Sequence, residues 1–463
     1  MYRMHQAMPL SRNIDPHAGS SNDAKDVPIQ DTASSVGPVK VTVCGRESKK
    51  LEKGRIKEVV TMGCILHAVL SNAAHPEYGA VTIPFPIPKE DFDHCMELVE
   101  ALEIGKVSAR DCRVDEISSD WPILGRLEGT NVDLDELDYL AKRLDSFDDG
   151  EAAQFQAMTE ALDLTDVKDL IDLTFCCQQA TVITDFSDLE AVGRDHYMNT
   201  HGGCASIQEL EALDGTETAI LLIDGGGGTV TRYGVVYDNG MKLDQSYDGR
   251  HFPVYLYDPP MLLVALTSHT EPEDTKNITW LYLPAAKAQV ERAVARSGIN
   301  EPENMRFQFV ECMLPDEIKA VLDFRSEPLF SLNELAQTVT NLSDIDRKKL
   351  GAVVAMAEPE CASQIRHLAE NLDQFEFCPD VRTPAEYGRF MIQESGRFEY
   401  DPNLDGFYDY EGYGLRRMEQ ESGMFTDCGY ISYHGELSMD ELMMEDPAQQ
   451  FQSDQGFQIG GMQ

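Results

Sequence analysis

The chain contains no Cys-x-x-Cys pair, so it lacks the spacing that a structural zinc site or a thioredoxin-like motif requires. Its eleven cysteines are scattered, with only Cys176 and Cys177 adjacent, a pattern expected of reduced thiols in a cytoplasmic protein. Long apolar runs are missing as well. The longest, around Met261 to Leu266 and Ala219 to Ile223, fall far short of the roughly 20 residues that span a bilayer, and no membrane association is expected. Met1 to Asn13 has no apolar h-region, so no signal peptide is expected. No Ser/His/Asp or Cys/His arrangement stands in a recognisable context, and His196 and His201 are five apart, a poor spacing for helical metal ligands. The expectation is a protein that is not an enzyme and uses no cofactor or metal.

Positive charge is scarcest of all. The 463 residues hold 38 Lys and Arg against 81 Asp and Glu, for a net charge of -43. Residues 1–60 carry ten basic and seven acidic residues, so the remainder carries 28 against 74. Such a surface repels nucleic acid and anionic membranes. Its natural partner is a basic surface, and a DNA-binding groove is the commonest deeply basic surface in a cell. The 42% hydrophobic content suffices for ordinary cores, and the length suits roughly two to four domains.

What the chain does have is a repeat. Leu134-Asp135-Glu136-Leu137, with Leu144, Phe147, Phe155 and Met158, reappears as Leu332-Asn333-Glu334-Leu335 with Leu342, Ile345, Val353 and Met356, at an offset of 198 residues. After small gaps, residues 228–236 are echoed by residues 423–431. The organisation expected is a flexible tail over 1–60, one unit over 63–240, a linker over 241–259, a second unit over 260–435 and a disordered Gln/Gly-rich tail over 444–463.

Each unit reads as α+β, with small sheets flanking a helical middle. Strands are expected at 65–70 and 81–86, matched at 262–266 and 278–283, each pair followed by a helix (88–102 and 285–297). In the middle, Asp133 with Glu136 and Ser331 with Glu334 have the spacing of capping boxes. Leu134, Leu137, Ala141 and Leu144 form a buried stripe. Ser146 and Asp344 are candidate caps for the next helix, and a third helix is expected at 166–173 and 361–372.

Carboxylates are the candidate functional groups. Thirteen lie between residues 133 and 172: Asp133, Asp135, Glu136, Asp138, Asp145, Asp148, Asp149, Glu151, Glu160, Asp163, Asp166, Asp169 and Asp172. A helix rises about 1.5 Å per residue, so an acid every two or three residues approaches the ~3.4 Å phosphate spacing of a DNA strand. The plainer reading is a solvated acidic face that serves solubility. Two other motifs compete. Asp224-Gly225-Gly226-Gly227-Gly228-Thr229 after a strand-like 219–223 has the look of a phosphate loop, although the repeat supplies no second glycine run. Asp401 to Asp409 approaches a calcium loop, but its twelfth position is Gly412 where a Glu is needed.

The most specific stretches are Glu386-Tyr387-Gly388-Arg389-Phe390-Met391-Ile392, Leu404-Asp405-Gly406-Phe407-Tyr408-Asp409-Tyr410-Glu411-Gly412-Tyr413-Gly414 and Phe425-Thr426-Asp427-Cys428-Gly429-Tyr430-Ile431. On these the second unit resembles the ArdA family of antirestriction proteins, and residues 66–72 with 81–86 resemble that family's opening hairpin. The resemblance covers about three-quarters of the chain. It implies an elongated acidic DNA mimic that occupies the DNA groove of type I restriction–modification enzymes and blocks restriction, without binding nucleic acid itself. It also implies roles for Asp405, Asp409 and Glu411 as mimic or assembly residues, and for Tyr408, Tyr410 and Tyr413 in packing or subunit contacts; Glu419 and Glu421 beyond them are further candidates for the acidic surface. A typical member is a single unit, usually a homodimer. Here two units stand in one chain, and the first lacks the Tyr-Asp-Tyr-Glu stretch. The expectation is a pseudo-dimer within one chain, or a homodimer. The alternatives are a nucleotide- or calcium-dependent regulator, or a mobile-element protein that mimics DNA for another defence nuclease.

Overall fold

The computed structural model describes residues 64–268, 278–299, 305–324 and 326–444. The two tails expected at the ends of the chain lie outside the described residues, apart from Met444. The architecture is α+β, with four small antiparallel sheets separated by helices. Among the described residues no helix is long and apolar enough to cross a membrane.

In the N-terminal half, β1 (Leu66–Ser71) pairs with β2 (Ala80–Phe85) and β3 (Cys112–Ser119), and β3 pairs with β4 (Asn131–Val132). Leu66, Ala68 and Leu70 alternate inward along β1 and are buried, as a half-buried strand requires. Helix α1 (Phe92–Glu100) turns Phe92, Cys95, Met96 and Val99 to the same core. The helical middle is α2 (Leu134–Asp145), α3 (Asp149–Ala161) and α4 (Val167–Leu173). After it come β5 (Thr181–Ile183), α5 (Leu189–Thr200), α6 (Ile207–Ala212), α7 (Gly215–Gly225) and the hairpin β6 (Thr229–Thr231) to β7 (Gly234–Tyr237). The second sheet runs β5-β7-β6.

The C-terminal half follows the same order. Strands β8 (Leu262–Ser268), β9 (Thr279–Leu283) and β10 (Met305–Cys312) form a sheet in the order β10-β8-β9, with α8 (Lys287–Ser297) after the hairpin. A short α9 (Asp316–Val321) precedes α10 (Leu329–Thr340), α11 (Asp344–Ala357) and α12 (Ala362–Glu370). Then come β11 (Phe375–Pro379), α13 (Pro384–Gln393), α14 (Tyr410–Glu421), β12 (Met424–Thr426), β13 (Gly429–Tyr433) and α15 (Met439–Met443). The last sheet runs β11-β13-β12, the counterpart of β5-β7-β6.

The helical middles correspond at 195 residues, one helical turn away from the 198 read in the sequence. Leu134, Leu137, Leu140 and Ala141 of α2 are buried, and so are Leu329, Leu332, Leu335 and Ala336 of α10. The polar residue inside this stripe also corresponds. Asp138 accepts a 2.8 Å hydrogen bond from the Ile87 amide, and Asn333 accepts one of 2.8 Å from the Ala285 amide while donating to its carbonyl at 2.9 Å. Both helices are thereby pinned to the chain leaving the second strand.

The same shift corrects the caps. Asp133 does cap α2, accepting from the Asp135 and Glu136 amides, but the Glu136 side chain does not return to complete a box. Helix α10 begins at Leu329 after Pro328, so Ser331 lies inside its first turn. Ser146 ends α2, and the cap of α3 is Asp148, in a full box with Glu151. Ser343 caps α11, with Asp344 its first residue.

Residues 241–259 are built into the fold and are not a free linker. Tyr247 is fully buried in the N-terminal core, and its amide donates to the Asp172 carboxylate at 2.7 Å. Beyond it, Tyr247, Phe252 and Tyr139 stack in series, with ring centroids 4.9 and 4.6 Å apart. The segment is a strap along α2. Tyr139 donates to the Pro253 carbonyl, Tyr255 to the Lys142 carbonyl and Tyr257 to the Asp145 carboxylate.

Candidate functional site: the acidic surface

The expected mimic residues divide by where the helices point them. Asp133, Glu136, Asp138 and Asp172 are buried, and these four cannot face a partner. Asp133, Asp138 and Asp172 have structural work instead. Asp138 pairs with Lys142 at 2.6 Å, and Asp172 with Lys168 at 3.2 Å. Glu136 is enclosed near Arg110, 3.6 Å away, and burial raises its pKa. The Asp135 side chain is only 15% exposed, and two arginines hold it.

Those arginines come from the other half. Arg292 Nε lies 2.6 Å from Asp135 Oδ1, and Arg296 Nη2 lies 2.5 Å from Asp135 Oδ2 and 3.1 Å from both oxygens of Asp133. Burial opposes ionisation of Asp135, but the Arg292 and Arg296 charges outweigh it and hold the carboxyl below its ordinary range. The cluster balances two cations against two anions, as buried charge demands. No sequence signal connects residues 157 to 163 positions apart, so this cluster was not legible beforehand.

The remaining acids of the N-terminal middle lie at or near the surface. Asp145, Asp148, Asp149 and Asp163 are exposed, while Glu151, Asp166 and Asp169 are half-buried. Several are engaged locally. Asp166 caps α4 and takes a two-pronged contact from Arg110 at 2.6 and 2.9 Å. Asp163 pairs with Arg126 at 2.8 Å, and Glu160 with Arg232 at 3.3 Å.

In the C-terminal half, Asp405, Asp409, Glu411 and Glu419 are exposed. Glu421 is not part of the surface. Its side chain is only 8% exposed, paired with Arg417, and accepts from the Tyr387 hydroxyl at 2.6 Å and the Tyr430 hydroxyl at 3.1 Å. Asp405 is the hub of an aromatic turn. It accepts from Tyr410, from Tyr400 at 3.0 Å and from Gln393 at 2.8 Å, and the Tyr410 and Tyr400 hydroxyls hold its pKa low. The Tyr408 ring packs between those of Tyr400 and Tyr410, and Tyr413 meets Phe398 edge-on. All three expected contact tyrosines are therefore engaged within the chain. Phe407 beside them is 86% exposed.

The rival motifs take other shapes. Residues 219–223 belong to helix α7, and the glycine run begins at its last residue, Gly225, so the strand-then-loop geometry of a phosphate site is not formed. Asp401 and Asp409 cap a short 3-10 turn and α14 respectively, and with Asp405 held by tyrosines their carboxylates do not converge on a common point as a calcium loop does.

Sequence reading missed a row on α1. Asp93, Glu97 and Glu100 recur at helical spacing on the face opposite Phe92, Met96 and Val99, and all three are exposed. The inward apolar residues were the available signal. Glu116, Asp120, Glu211 and Glu217 are also exposed, with no ion pair among the described residues. No protein-family model matches the chain, and no curated protein matches it.

Proposed function

We propose that the protein is an antirestriction protein of the ArdA kind. It would be a tandem of two acidic units that occupies the DNA-binding groove of a type I restriction–modification enzyme in the cytoplasm. One observation carries this reading: 81 acidic residues face 38 basic ones, and exposed carboxylates stand on helices of both halves, Asp93, Glu97 and Glu100 in a row on α1 and Glu411 and Glu419 singly on α14. Helices hold such rows rigid, so little order must be imposed on binding. Groove arginines and lysines then meet Asp149, Glu97, Glu100, Glu411 and Glu419 in place of phosphates. The inhibition is stoichiometric and involves no covalent step. Because it is an exchange of surface ion pairs, affinity falls steeply with salt.

The test is cleavage of unmodified DNA by a panel of type I enzymes at near-stoichiometric inhibitor, from low to high salt. Inhibition that weakens log-linearly with salt is expected. Full cleavage at low salt across the panel overturns the reading.

A further inference from the structure

The contact between the halves is built from residues that the repeat itself does not supply. Helix α8 of the C-terminal half lies against α1 and the start of α2. Its Ala288 amide donates to Asp93 at 2.8 Å, and Arg292 donates to the Gly105 carbonyl at 2.7 Å as well as to Asp135. Arg296 is 3% exposed. It reaches Asp133 and Asp135, stacks its guanidinium 4.6 Å above the Phe252 ring and donates to the Arg250 carbonyl, while the Arg250 guanidinium donates to the Arg296 carbonyl.

The equivalent positions differ in kind. With Phe92 of α1 set on Val290 of α8, Arg292 corresponds to His94 and Arg296 to Leu98. With α2 set on α10, Asp133 and Asp135 correspond to Pro328 and Phe330. A charge cluster needed to fold one unit would recur in both. This one occurs only where the two units meet.

We infer that Arg292 and Arg296 are positioning residues, a buried electrostatic clamp that locks the two halves into one rigid body, and that inhibition depends on this fixed arrangement. The second part rests on the DNA-mimic reading; the first does not. Burial shields the clamp from the salt that screens the outer acids. High salt therefore releases the target while leaving the halves locked. A lysine at 296 keeps the charge but lacks the planar fork that serves two carboxylates at once.

The experiment uses the full chain and three variants: R296K, R292M/R296M, and the compensated R292M/R296M/D133N/D135N. The last is needed because removing the cations alone leaves buried carboxylates unpaired, and Asn preserves the cap at 133. Each is measured by small-angle X-ray scattering, by hydrogen exchange at the Ala288 amide and by inhibition of a type I enzyme. Expected for the compensated variant are unchanged helical content, a larger maximum dimension, at least tenfold faster exchange at Ala288 and at least tenfold weaker inhibition, with R296K between it and wild type. Wild-type scattering and exchange in the compensated variant overturn the clamp. Altered scattering with undiminished inhibition overturns the dependence of inhibition on it. A wild-type chain that inhibits nothing overturns the DNA-mimic reading instead, while scattering and exchange still decide the clamp.

Discussion

Replacing Gly388 by alanine puts the repeat and the packing of α13 on α14 to one test. A β-carbon at Gly388 would lie 1.9 Å from the Tyr410 carbonyl oxygen, and one at Gly193, the position 195 residues earlier, 1.8 Å from the Gly215 carbonyl oxygen. Both obstacles are backbone at the first residue of the partner helix, so no side chain can swing aside. To reach ordinary contact, near 3.4 Å, the helices must part by about 1.5 Å. Overpacking of this kind costs about 1–3 kcal/mol, with a rigid backbone obstacle at the upper end, and alanine recovers about 1 kcal/mol of helix propensity. The expected net loss is about 1–2 kcal/mol for each variant. Gly125→Ala is the control: nothing lies within 4 Å of its β-carbon, and it should leave stability unchanged or raise it by up to about 1 kcal/mol. Urea denaturation followed by circular dichroism, with hydrogen exchange to localise the loss to each helix pair, provides the measurement. If Gly388→Ala and Gly193→Ala are as stable as Gly125→Ala, the close packing is wrong. If only one is destabilised, the halves are not equivalent at this position.

Three further outcomes are expected. Glu136→Gln should stabilise the protein at pH 7. Burial raises the folded pKa of Glu136 above its ordinary 4.5, so ionisation costs stability as pH rises through the folded value; the gain over wild type should vanish in melts below pH 4.5, and a pH-independent loss would refute this. Tyr247→Ala should cost about 3–5 kcal/mol and expose amides of the N-terminal half first in hydrogen exchange; an unchanged midpoint would show that the strap is dispensable. Neutralising Glu100, Asp149, Glu411 and Glu419 together should leave the melting temperature within a degree or two and weaken inhibition. The slope of log affinity against log salt should fall by about one for each charge that pairs in the groove, and an unchanged slope would place the binding surface elsewhere.

Element order was legible in the sequence because both periodicities were clean. Leu66, Ala68 and Leu70 alternate, and Phe92, Met96 and Val99 follow a helix. The register of the repeat was not. An amphipathic helix looks much the same after a three-residue slip, so 198 passed for 195; the polar position occupied by Asp138 and Asn333 separates them, as does the echo of residues 228–236 in 423–431, which stands at 195. Facing was the larger failure. Charge density counts carboxylates without saying which are inside, yet Asp138 gave itself away: it lies four residues after Leu134 and three before Ala141, on the apolar stripe itself. Asp133 and Asp135 had no such mark, because the arginines that neutralise them lie in a different part of the chain.

The strap and clamp also set an order of events during synthesis. Domains ordinarily fold from the N-terminus as they emerge from the ribosome. Here the earlier half lacks one of its core aromatics until Tyr247 has emerged, and two of its carboxylates lack counter-charges until Arg292 and Arg296 follow. The first unit to be made is thus completed by residues that follow it, and over the roughly fifty codons between Tyr247 and Arg296 Asp133 and Asp135 lack the arginines that neutralise them in the finished fold.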